Sequence, residues 1–377
     1  MIDADVTFRG GLVFDGRRLH DGHALRLEEG VVTALDRDDK VETVGVEIDL
    51  ADDIVAPAYV HLQVNGGGGV MFNDAPSVDT LARIAHAHRG LGTAHLLPTL
   101  ITDTPAHTRA AIAAAEEAVA AGVAGIAGLH LEGPHLSLAR KGAHDPALIR
   151  PMTDEDLAGL IDGARRLPRL MVTIAPESVS VDQARTLAGA GVLLALGHTD
   201  AVYETCLTYH NAGVRCVTHL FNAMRQLGNR EPGVVGAALD SGGLDAGLIA
   251  DAIHVHPAAM RAAFAAKRGP GEIYLVTDAM APAGTELVQF ELNGRVITRS
   301  NGHLTLADGT LAGADLDLTR AVRVLNAKVG LGLEPALAAA TSVPARVAAI
   351  GAGTLKVGAA ASVNRIAQDL TACSPVA

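Results

Sequence analysis

Residues 54–66 read IVAPAYVHLQVNG, and this apolar run of strand length is the first of eight that decide the fold. The other seven begin near residues 94, 125, 169, 191, 215, 245 and 272 and read TAHLLPTLIT, GIAGLHLEG, RLMVTIAPE, GVLLALGHT, RCVTHLFNA, AGLIADAIHV and EIYLVTDAM. Their mean spacing is about 31 residues, which is what ~250 residues divided over eight strand–helix units would give. The pattern therefore predicts eight repeated units.

Helix-like, Ala-rich stretches separate these runs, for example at residues 77–90, 104–122 and 153–166. Continuous apolar strands that alternate with helices indicate a parallel sheet buried on both faces. Eight such units predict an α/β fold with a closed (β/α)8 TIM barrel, which we place at residues 56–348. Residues 288–310 are expected to form hairpins, and residues 316–330 and 334–350 two further helices.

The first 55 residues have a different pattern, with short apolar runs broken by Gly and Asp. They predict a small β-domain, to which residues 349–377 are expected to return. The tail reads GTLKVGAAASVNRIAQDL at residues 353–370 and has a weak strand signal, so the C-terminal half of this domain is the least certain part of the predicted fold.

Composition narrows the classes of function. The 377 residues are 49% hydrophobic and 19% charged, enough apolar material for a large core, and the net charge is −12. No basic cluster with interleaved aromatics is present, which argues against nucleic-acid binding but leaves an anionic small molecule open. Three cysteines without a CxxC pattern predict neither a disulfide framework nor a thiolate zinc site. The N-terminus lacks a secretory signal pattern and no apolar run spans a membrane, so we expect a cytoplasmic protein.

Polar side chains recur where the predicted strands end, which in a TIM barrel is the face that carries the active site. These residues are Gln63, Asn65, Glu132, His198, His219, His254 and Asp278. One carboxylate and two imidazoles suit Zn²⁺ or Fe²⁺ with positions left open for water and substrate. A carboxylate outside the metal, for which Asp278 is the candidate, could act as general base and acid. A helix N-cap or a metal ligand is the alternative role for Asp278.

An ordered set of motifs extends this interpretation: HLEGPHL, KGAHDP, LGHTDA, THLFNAM, NREPG, LVTDAM and DGTLAGA. In this order and spacing the set resembles the N-acetylglucosamine-6-phosphate deacetylases of the amidohydrolase superfamily. The resemblance implies a metal-bearing barrel with a small β-sandwich built from both chain ends. It also implies hydrolysis of the N-acetyl group of N-acetylglucosamine-6-phosphate to glucosamine-6-phosphate and acetate, in amino-sugar catabolism, by a homodimer.

Carried over by motif, Glu132, His198 and His219 match the metal ligands of that family and Asp278 its catalytic acid and base. His144 matches the residue that contacts the acetyl carbonyl. Arg230 matches a phosphate-binding arginine, often presented across a dimer interface. The positions matching substrate contacts are Ala143, His144, Asn222, Ala223, Arg230, His254, Leu311, Ala312 and Gly313.

The first strand decides the expected number of metal ions. Gln63 and Asn65 offer neutral amides, which are poor ligands for zinc, where many amidohydrolases have His-x-His. We therefore expect one divalent ion per subunit, zinc or alternatively iron. The two amides are candidates for orienting the attacking water instead.

Two positions and one region depart from the family pattern. His61 shares a strand face with Gln63 and either approaches the site from below or fills the barrel interior. Ala252 replaces a glycine ahead of His254, and the tail differs as described above. These departures keep two alternatives open: an amidohydrolase that acts on a different N-acyl or cyclic amide, and a catalytically silent sugar-phosphate binding protein.

Overall fold

The structure of the protein, a computed structural model, describes residues 5–376. Eight parallel strands form one sheet in which each strand pairs with the next in sequence. Their bounds are Tyr59–Val64, Thr93–Ile101, Leu129–Glu132, Leu170–Ile174, Leu193–Leu196, Cys216–Val217, Asp245–Ile249 and Ile273–Val276. The ring closes where Val64 bridges to Ala279, directly after the eighth strand. The predicted (β/α)8 barrel is confirmed.

Seven helices follow the first seven barrel strands and cover the barrel. They are α1 (Val78–Gly90), α2 (Pro105–Ala120), α3 (Asp154–Arg166), α4 (Val181–Gly189), α5 (Tyr203–Asn211), α6 (Gly233–Asp240) and α7 (Pro257–Ala266). The helix starts expected at 77, 104 and 153 are observed, because the hydroxyls of Ser77, Thr104 and Thr153 accept backbone N–H bonds at these positions. Within residues 5–376, no helix has both the length and the apolar character needed to cross a membrane.

The first apolar run, predicted as one strand, is divided in the structure. Residues Ile54–Pro57 pair with a strand from the C-terminal tail, and the barrel strand begins only at Tyr59. The change of partner comes after Ala58, whose N–H still donates to the Ser362 carbonyl at 2.8 Å, whereas the N–H of Tyr59 donates to the Gly92 carbonyl at 2.9 Å. A single run thus leads the chain from one sheet into another.

Two further sheets form the small β-domain, one from N-terminal strands alone and one from strands of both chain ends. One contains Val6–Arg9, His23–Glu28, Val31–Arg37 and Val46–Asp49, and the other Leu12–Phe14, Leu19–His20, Ile54–Pro57, Val363–Ile366 and Cys373–Val376. Phe8, Leu25, Leu27 and Val363 belong to one buried apolar cluster of these sheets. The expected return of the tail is therefore observed despite its weak strand signal. The domain limits at residues 55 and 348 stay predictions.

The segment after the eighth barrel strand forms an antiparallel sheet, called here the hairpin sheet. Its strands are Gln289–Leu292, Arg295–Ser300, His303–Thr305 and Leu311–Ala314. Ala314 bridges to Ala279, so the last of these strands adjoins the mouth of the barrel. The expected hairpins are thus observed beside the site.

The helices after the hairpin sheet differ in part from expectation. Helix α8 (Leu318–Val324) continues as a π-helical turn, but the single helix expected over 334–350 is two short ones, α9 (Leu333–Ala338) and α10 (Ser342–Val347). Pro344 accounts for the break, because a proline is tolerated in the first turn of a helix and not in its interior. The remaining short elements are Gly66–Gly67 paired with Val70–Met71, and 3-10 turns at Asp38–Lys40 and Leu138–Arg140.

Candidate active site

The carboxyl ends of three barrel strands bring Glu132, His198 and His219 together. Oε1 of Glu132 lies 3.1 Å from Nε2 of His198 and 2.9 Å from Nε2 of His219, and the two ring nitrogens are 3.1 Å apart. All three side chains are buried. Donors around one tetrahedral ion with bonds of ~2.0–2.1 Å lie about 3.3 Å from each other, so this group has the size of a metal site.

The protonation of His198 supports the same interpretation. Its Nδ1 lies 2.9 Å from the backbone carbonyl of Arg140, which can only accept a hydrogen bond. In the neutral ring the proton is therefore on Nδ1, and the lone pair of Nε2 faces the Glu132 carboxylate and His219. Such an arrangement is repulsive unless a proton or a metal ion lies between the donors, and Nδ1–H bonded to a carbonyl is the usual orientation of a metal-ligating histidine. The residues present fit a divalent ion.

In this group, burial and hydrogen bonding shift the pKa values in opposite directions. Burial alone would raise the pKa of Glu132, but hydrogen bonds to His198 and His219 hold it well below its ordinary value. Burial likewise lowers the pKa of His219, and the bond to the Glu132 carboxylate outweighs that effect and raises it. The carboxylate is therefore ionised, as a metal ligand must be.

Asp278 follows the eighth strand and is held by two amides of the first. Its Oδ1 accepts hydrogen bonds from Nδ2 of Asn65 at 2.6 Å and from Nε2 of Gln63 at 3.2 Å. The same Nε2 lies 3.2 Å from Oε2 of Glu132, so Gln63 links the two carboxyl groups. Burial raises the pKa of Asp278, and the charge of Glu132 raises it further. A carboxyl group in this environment can both take up and release a proton.

His144 joins this cluster from the loop between the third strand and α3. Its ring packs edge-on against the ring of His198, with centroids 4.3 Å apart, and its Nδ1 lies 2.7 Å from Oγ1 of Thr102. Burial and the neighbouring His198 lower the pKa of His144 to about 3, so its ring is neutral near pH 7. The backbone carbonyl of Ala143 accepts a hydrogen bond from Arg295 of the hairpin sheet at 2.6 Å.

Three other predicted site residues lie near members of this cluster. Nδ1 of His254 bonds to Asp251 at 2.6 Å, and the charge of His254 acts on Asp278. The amide of Asn222 bonds to the carbonyl of His219 at 3.3 Å, and an ideal Cβ on Gly313 would lie 2.7 Å from the carbonyl oxygen of Asp278.

The rest of the predicted contacts lie on loops and on the hairpin sheet. Ala223 is half-buried in the loop after the sixth strand, and Leu311 and Ala312 belong to the last strand of the hairpin sheet. Arg230 is exposed on its loop. The structure thus brings the candidate metal ligands, Asp278 and His144 together, and it gives Arg230 no contact with any of them among the described residues.

His61 lies inside the barrel rather than at the metal ligands. Its Nε2 accepts hydrogen bonds from the backbone N–H of Thr277 at 2.9 Å and from the Thr277 hydroxyl at 3.0 Å. The side chain is 1% exposed. Of the two readings of His61 left open by its sequence position, the structure favours the interior one.

The sequence did not point to three residues that contact this cluster. Thr102 bonds to His144, Arg140 offers its carbonyl to His198, and Arg295 reaches Ala143 from the hairpin sheet. Thr102 carried a usable signal, since it directly follows the second barrel strand. Arg140 acts through its backbone and Arg295 lies in a separate sheet, so no strand-end pattern could reveal either.

Comparison with known proteins agrees with this geometry. The chain matches the Amidohydrolase family over residues 54–372. It is 42% identical over 299 residues to an N-acetylgalactosamine-6-phosphate deacetylase of Shewanella sp. (strain ANA-3), covering 78% of this chain and 74% of that protein. It is 33% identical over 314 residues to an N-acetylglucosamine-6-phosphate deacetylase of Haemophilus influenzae, covering 82% and 81%.

Solved structures give the same result. An N-acetylglucosamine-6-phosphate deacetylase from Pasteurella multocida superposes with a TM-score of 0.92 at 29% identity, over 98% of this chain and 97% of that one. The enzyme of that name from Mycobacterium smegmatis gives 0.90 at 31% identity, over 99% and 97%. The resemblance seen in the motifs is confirmed. The chain belongs to the amidohydrolase family, in the group that contains the N-acetylglucosamine-6-phosphate and N-acetylgalactosamine-6-phosphate deacetylases.

Proposed function

We propose that the protein is a metal-dependent deacetylase that hydrolyses N-acetylglucosamine-6-phosphate to glucosamine-6-phosphate and acetate, as a step of amino-sugar catabolism. One observation carries the proposal: a buried Glu132–His198–His219 donor group linked through Gln63 to a separate carboxyl group, Asp278. A divalent ion bound to this group supplies an activated water near neutral pH and polarises a carbonyl oxygen. The names of the relatives supply the substrate class.

The chain's own residues would divide the work as follows. Asp278 takes the proton of the attacking water and returns it to the leaving amine nitrogen, which a buried carboxyl group with a raised pKa can do. Asn65 and Gln63 hold the Asp278 carboxylate in place through their amide N–H groups. The neutral ring of His144 donates a hydrogen bond to the acetyl oxygen as negative charge develops there.

We infer one ion per subunit, zinc before iron, because three donors of the N/O type leave room for water and substrate. We also infer a homodimer in which Arg230 contacts the phosphate of the substrate held by the partner. Support for this comes from the exposure of Arg230 and from its match to the phosphate-binding position of the NREPG motif. A bidentate guanidinium suits a phosphate dianion. The cytoplasmic location stays a prediction.

N-acetylgalactosamine-6-phosphate is the second candidate substrate, favoured by the 42% identical relative that carries that name. The two sugars differ only in the configuration at one hydroxyl-bearing carbon. The residues argued above act on the acetyl group and the phosphate, which both sugars share. The choice between the epimers therefore needs an experiment.

The test is acetate release by zinc-loaded protein from both phosphorylated sugars and from unphosphorylated N-acetylglucosamine. We expect turnover of N-acetylglucosamine-6-phosphate with a kcat/KM roughly tenfold to a hundredfold above that of the unphosphorylated sugar, since a charge-assisted phosphate contact contributes about 1.5–3 kcal/mol. A higher kcat/KM for N-acetylgalactosamine-6-phosphate would mean that this sugar is the substrate. No acetate from any of them would reject deacetylation in favour of binding without catalysis.

Replacement of Arg230 separates phosphate recognition from chemistry. Arg230→Ala should raise KM for the phosphorylated sugar and leave the unphosphorylated one unchanged. Arg109→Ala, on the exposed face of α2, is the matched control and should change neither. An equal loss on both substrates would contradict a phosphate role and would favour an amidohydrolase for a different amide.

A further inference from the structure

Thr102 connects two parts of the candidate site through one hydroxyl group. It follows the second barrel strand and is 1% exposed. Its Oγ1 lies 2.7 Å from Nδ1 of His144 and 3.4 Å from the backbone carbonyl of Glu132. Neither the sequence motifs nor the mechanism above assigns it a role.

The two distances decide where the hydroxyl proton goes. A hydroxyl group has one proton to donate, and hydrogen bonds from O–H groups are usually 2.5–3.0 Å long. The contact to His144 falls within this range, whereas the contact to the Glu132 carbonyl does not. The shorter contact therefore favours donation of the Thr102 proton to Nδ1 of His144, and in that arrangement Nδ1 carries a lone pair.

The other ring nitrogen then holds the proton of the neutral imidazole. Among residues 5–376, Nε2 of His144 has no hydrogen-bond partner, and it is not one of the fully buried polar atoms left without one. It therefore keeps some surface accessible to a small molecule. Packing against the His198 ring, at an interplanar angle of 64°, fixes the direction of the ring.

Gly133 shows that the sequence makes room for this hydroxyl. An ideal Cβ on Gly133 would lie 2.3 Å from Oγ1 of Thr102, and its φ of +93° lies in a region that residues with side chains rarely adopt. The glycine directly after the metal ligand Glu132 is therefore needed for Thr102 to reach His144. Any larger residue there would displace the hydroxyl.

We propose that Thr102 is a positioning residue that holds His144 as the Nε2–H tautomer, with that proton directed at the oxygen of the substrate's acetyl group. The use of the proton in catalysis rests on the proposed deacetylase function, whereas the tautomer does not. In the opposite tautomer, Nε2 would present a lone pair to an oxygen that gains negative charge, and the ring would oppose the reaction.

The tautomer can be measured directly in zinc-loaded protein with ¹⁵N-labelled histidine. Two-bond ¹H–¹⁵N correlation spectra distinguish a protonated ring nitrogen from one with a lone pair, and the signals of His144 are identified by their loss in His144→Asn. We expect a lone pair on Nδ1 and a proton on Nε2 in the unmodified chain. A protonated Nδ1 would overturn the proposal whether or not acetate is released.

Two variants then test the consequence for catalysis. Thr102→Val, which keeps the shape and removes the hydroxyl, should lower kcat at least about tenfold and leave KM within about threefold, part of the 10²–10³ that a lost oxyanion donor costs. Thr102→Ser should restore kcat and the Nδ1 shift. Thr108→Val on α2 is the matched control.

The outcomes separate the two proposals. Full kcat in Thr102→Val would overturn the positioning role. An unmodified chain that releases no acetate from any sugar would end the proposed function, and the nitrogen spectra would still decide the tautomer. If Thr102→Val does not fold, the spectra of the unmodified chain and of Thr102→Ser carry the test.

Discussion

Three side chains at the centre of the site stand on backbone that residues other than glycine rarely adopt. His198, His219 and Asp278 have φ values of 48°, 27° and 56°. Each follows a barrel strand directly or within two residues, so the backbone turns sharply where the sheet ends and the side chain points over the barrel mouth. Strain of this kind persists only where the surrounding structure enforces it, and here the closed barrel does so.

Asp278 provides the most direct test at this scale. Asp278→Asn keeps the size of the side chain and removes its capacity to take up a proton, so kcat should fall by about 10²–10⁴ while substrate binding is retained. Steady-state kinetics together with calorimetric titration of substrate check this. Asp182→Asn, at a side chain that is 90% exposed, is the control. Equal losses of binding and rate would mean that Asp278 is structural, the alternative left open by the sequence.

Ala252 offers a test of stability rather than rate. It replaces a glycine of the family pattern ahead of His254, and its φ is 64°. A left-handed conformation costs a residue with a Cβ roughly 1–2 kcal/mol, of which the greater chain entropy of unfolded glycine cancels about 0.4–1 kcal/mol. Ala252→Gly should therefore raise the free energy of unfolding by about 0.5–1 kcal/mol in urea titrations.

A matched change elsewhere should have the opposite sign. Ala110→Gly lies on the exposed face of α2 and should lower the free energy of unfolding by about 1 kcal/mol. If both variants are destabilised to the same extent, the backbone strain at Ala252 is not released by glycine.

At the scale of single elements, α3 shows how local sequence and tertiary contacts combine. The Thr153 hydroxyl accepts the N–H of Asp156, and the Asp156 carboxylate accepts the N–H of Thr153 at 2.9 Å, which is a capping box at the predicted start of this helix. Only the structure adds Arg150, whose guanidinium also bonds to Asp156. Burial works against the charge, but the bonds from Arg150 and Thr153 outweigh it and hold the pKa of Asp156 below its ordinary value.

This lowered pKa predicts the direction in which the stability of the protein changes with pH. A carboxyl group whose pKa is lower in the folded state stabilises the protein above its unfolded pKa of about 3.9, and the contribution is lost as pH falls below that value. Asp156→Asn should cost about 1–3 kcal/mol at pH 7 and progressively less below pH ~4. Urea denaturation of the variant and the unmodified chain, at pH 7 and again below pH ~4, measures this loss of stability. Asp154→Asn, exposed on the same turn, should show little of it.

At the scale of the whole molecule, closure of the barrel assembles the site. The bond between Gln63 and Asp278 joins residues 215 positions apart, across the point where the first and eighth strands meet. The chain ends are tied together ahead of the first barrel strand, because Val363–Ile366 pairs with Ile54–Pro57 and Arg365 bonds to Asp53 at 2.6 Å. The contact between Gln63 and Asp278 therefore depends on closure of the barrel.

Removal of the metal ion should lower the stability of the whole protein. A ligand that binds only the folded state stabilises it by about 4 kcal/mol at a thousandfold excess over its Kd. Treatment with a chelator should thus reduce the Tm in scanning calorimetry, and zinc should restore it. In Glu132→Gln the chelator should lower the Tm much less. An unchanged Tm in the unmodified chain would mean that no ion is bound at these donors.

The sequence by itself determined the barrel and its principal donors. Eight apolar runs at regular spacing specify the strands, and because parallel strands end at one face, Glu132, His198, His219 and Asp278 could be placed together from position alone. Two details were wrong: the first run is shared between two sheets, with the change after Ala58, and the helix expected over 334–350 is broken ahead of Pro344, which a helix interior does not tolerate.

Only the tertiary structure decided how these residues are oriented. His144 meets Thr102, His198 meets the carbonyl of Arg140, and Ala143 meets Arg295 across 42, 58 and 152 positions of sequence. These contacts set the ring tautomers and the conformation of the loop that carries His144. They depend on how closure of the ring and docking of the hairpin sheet turn separate segments toward each other, and hydrophobic periodicity carries no information on that rotation.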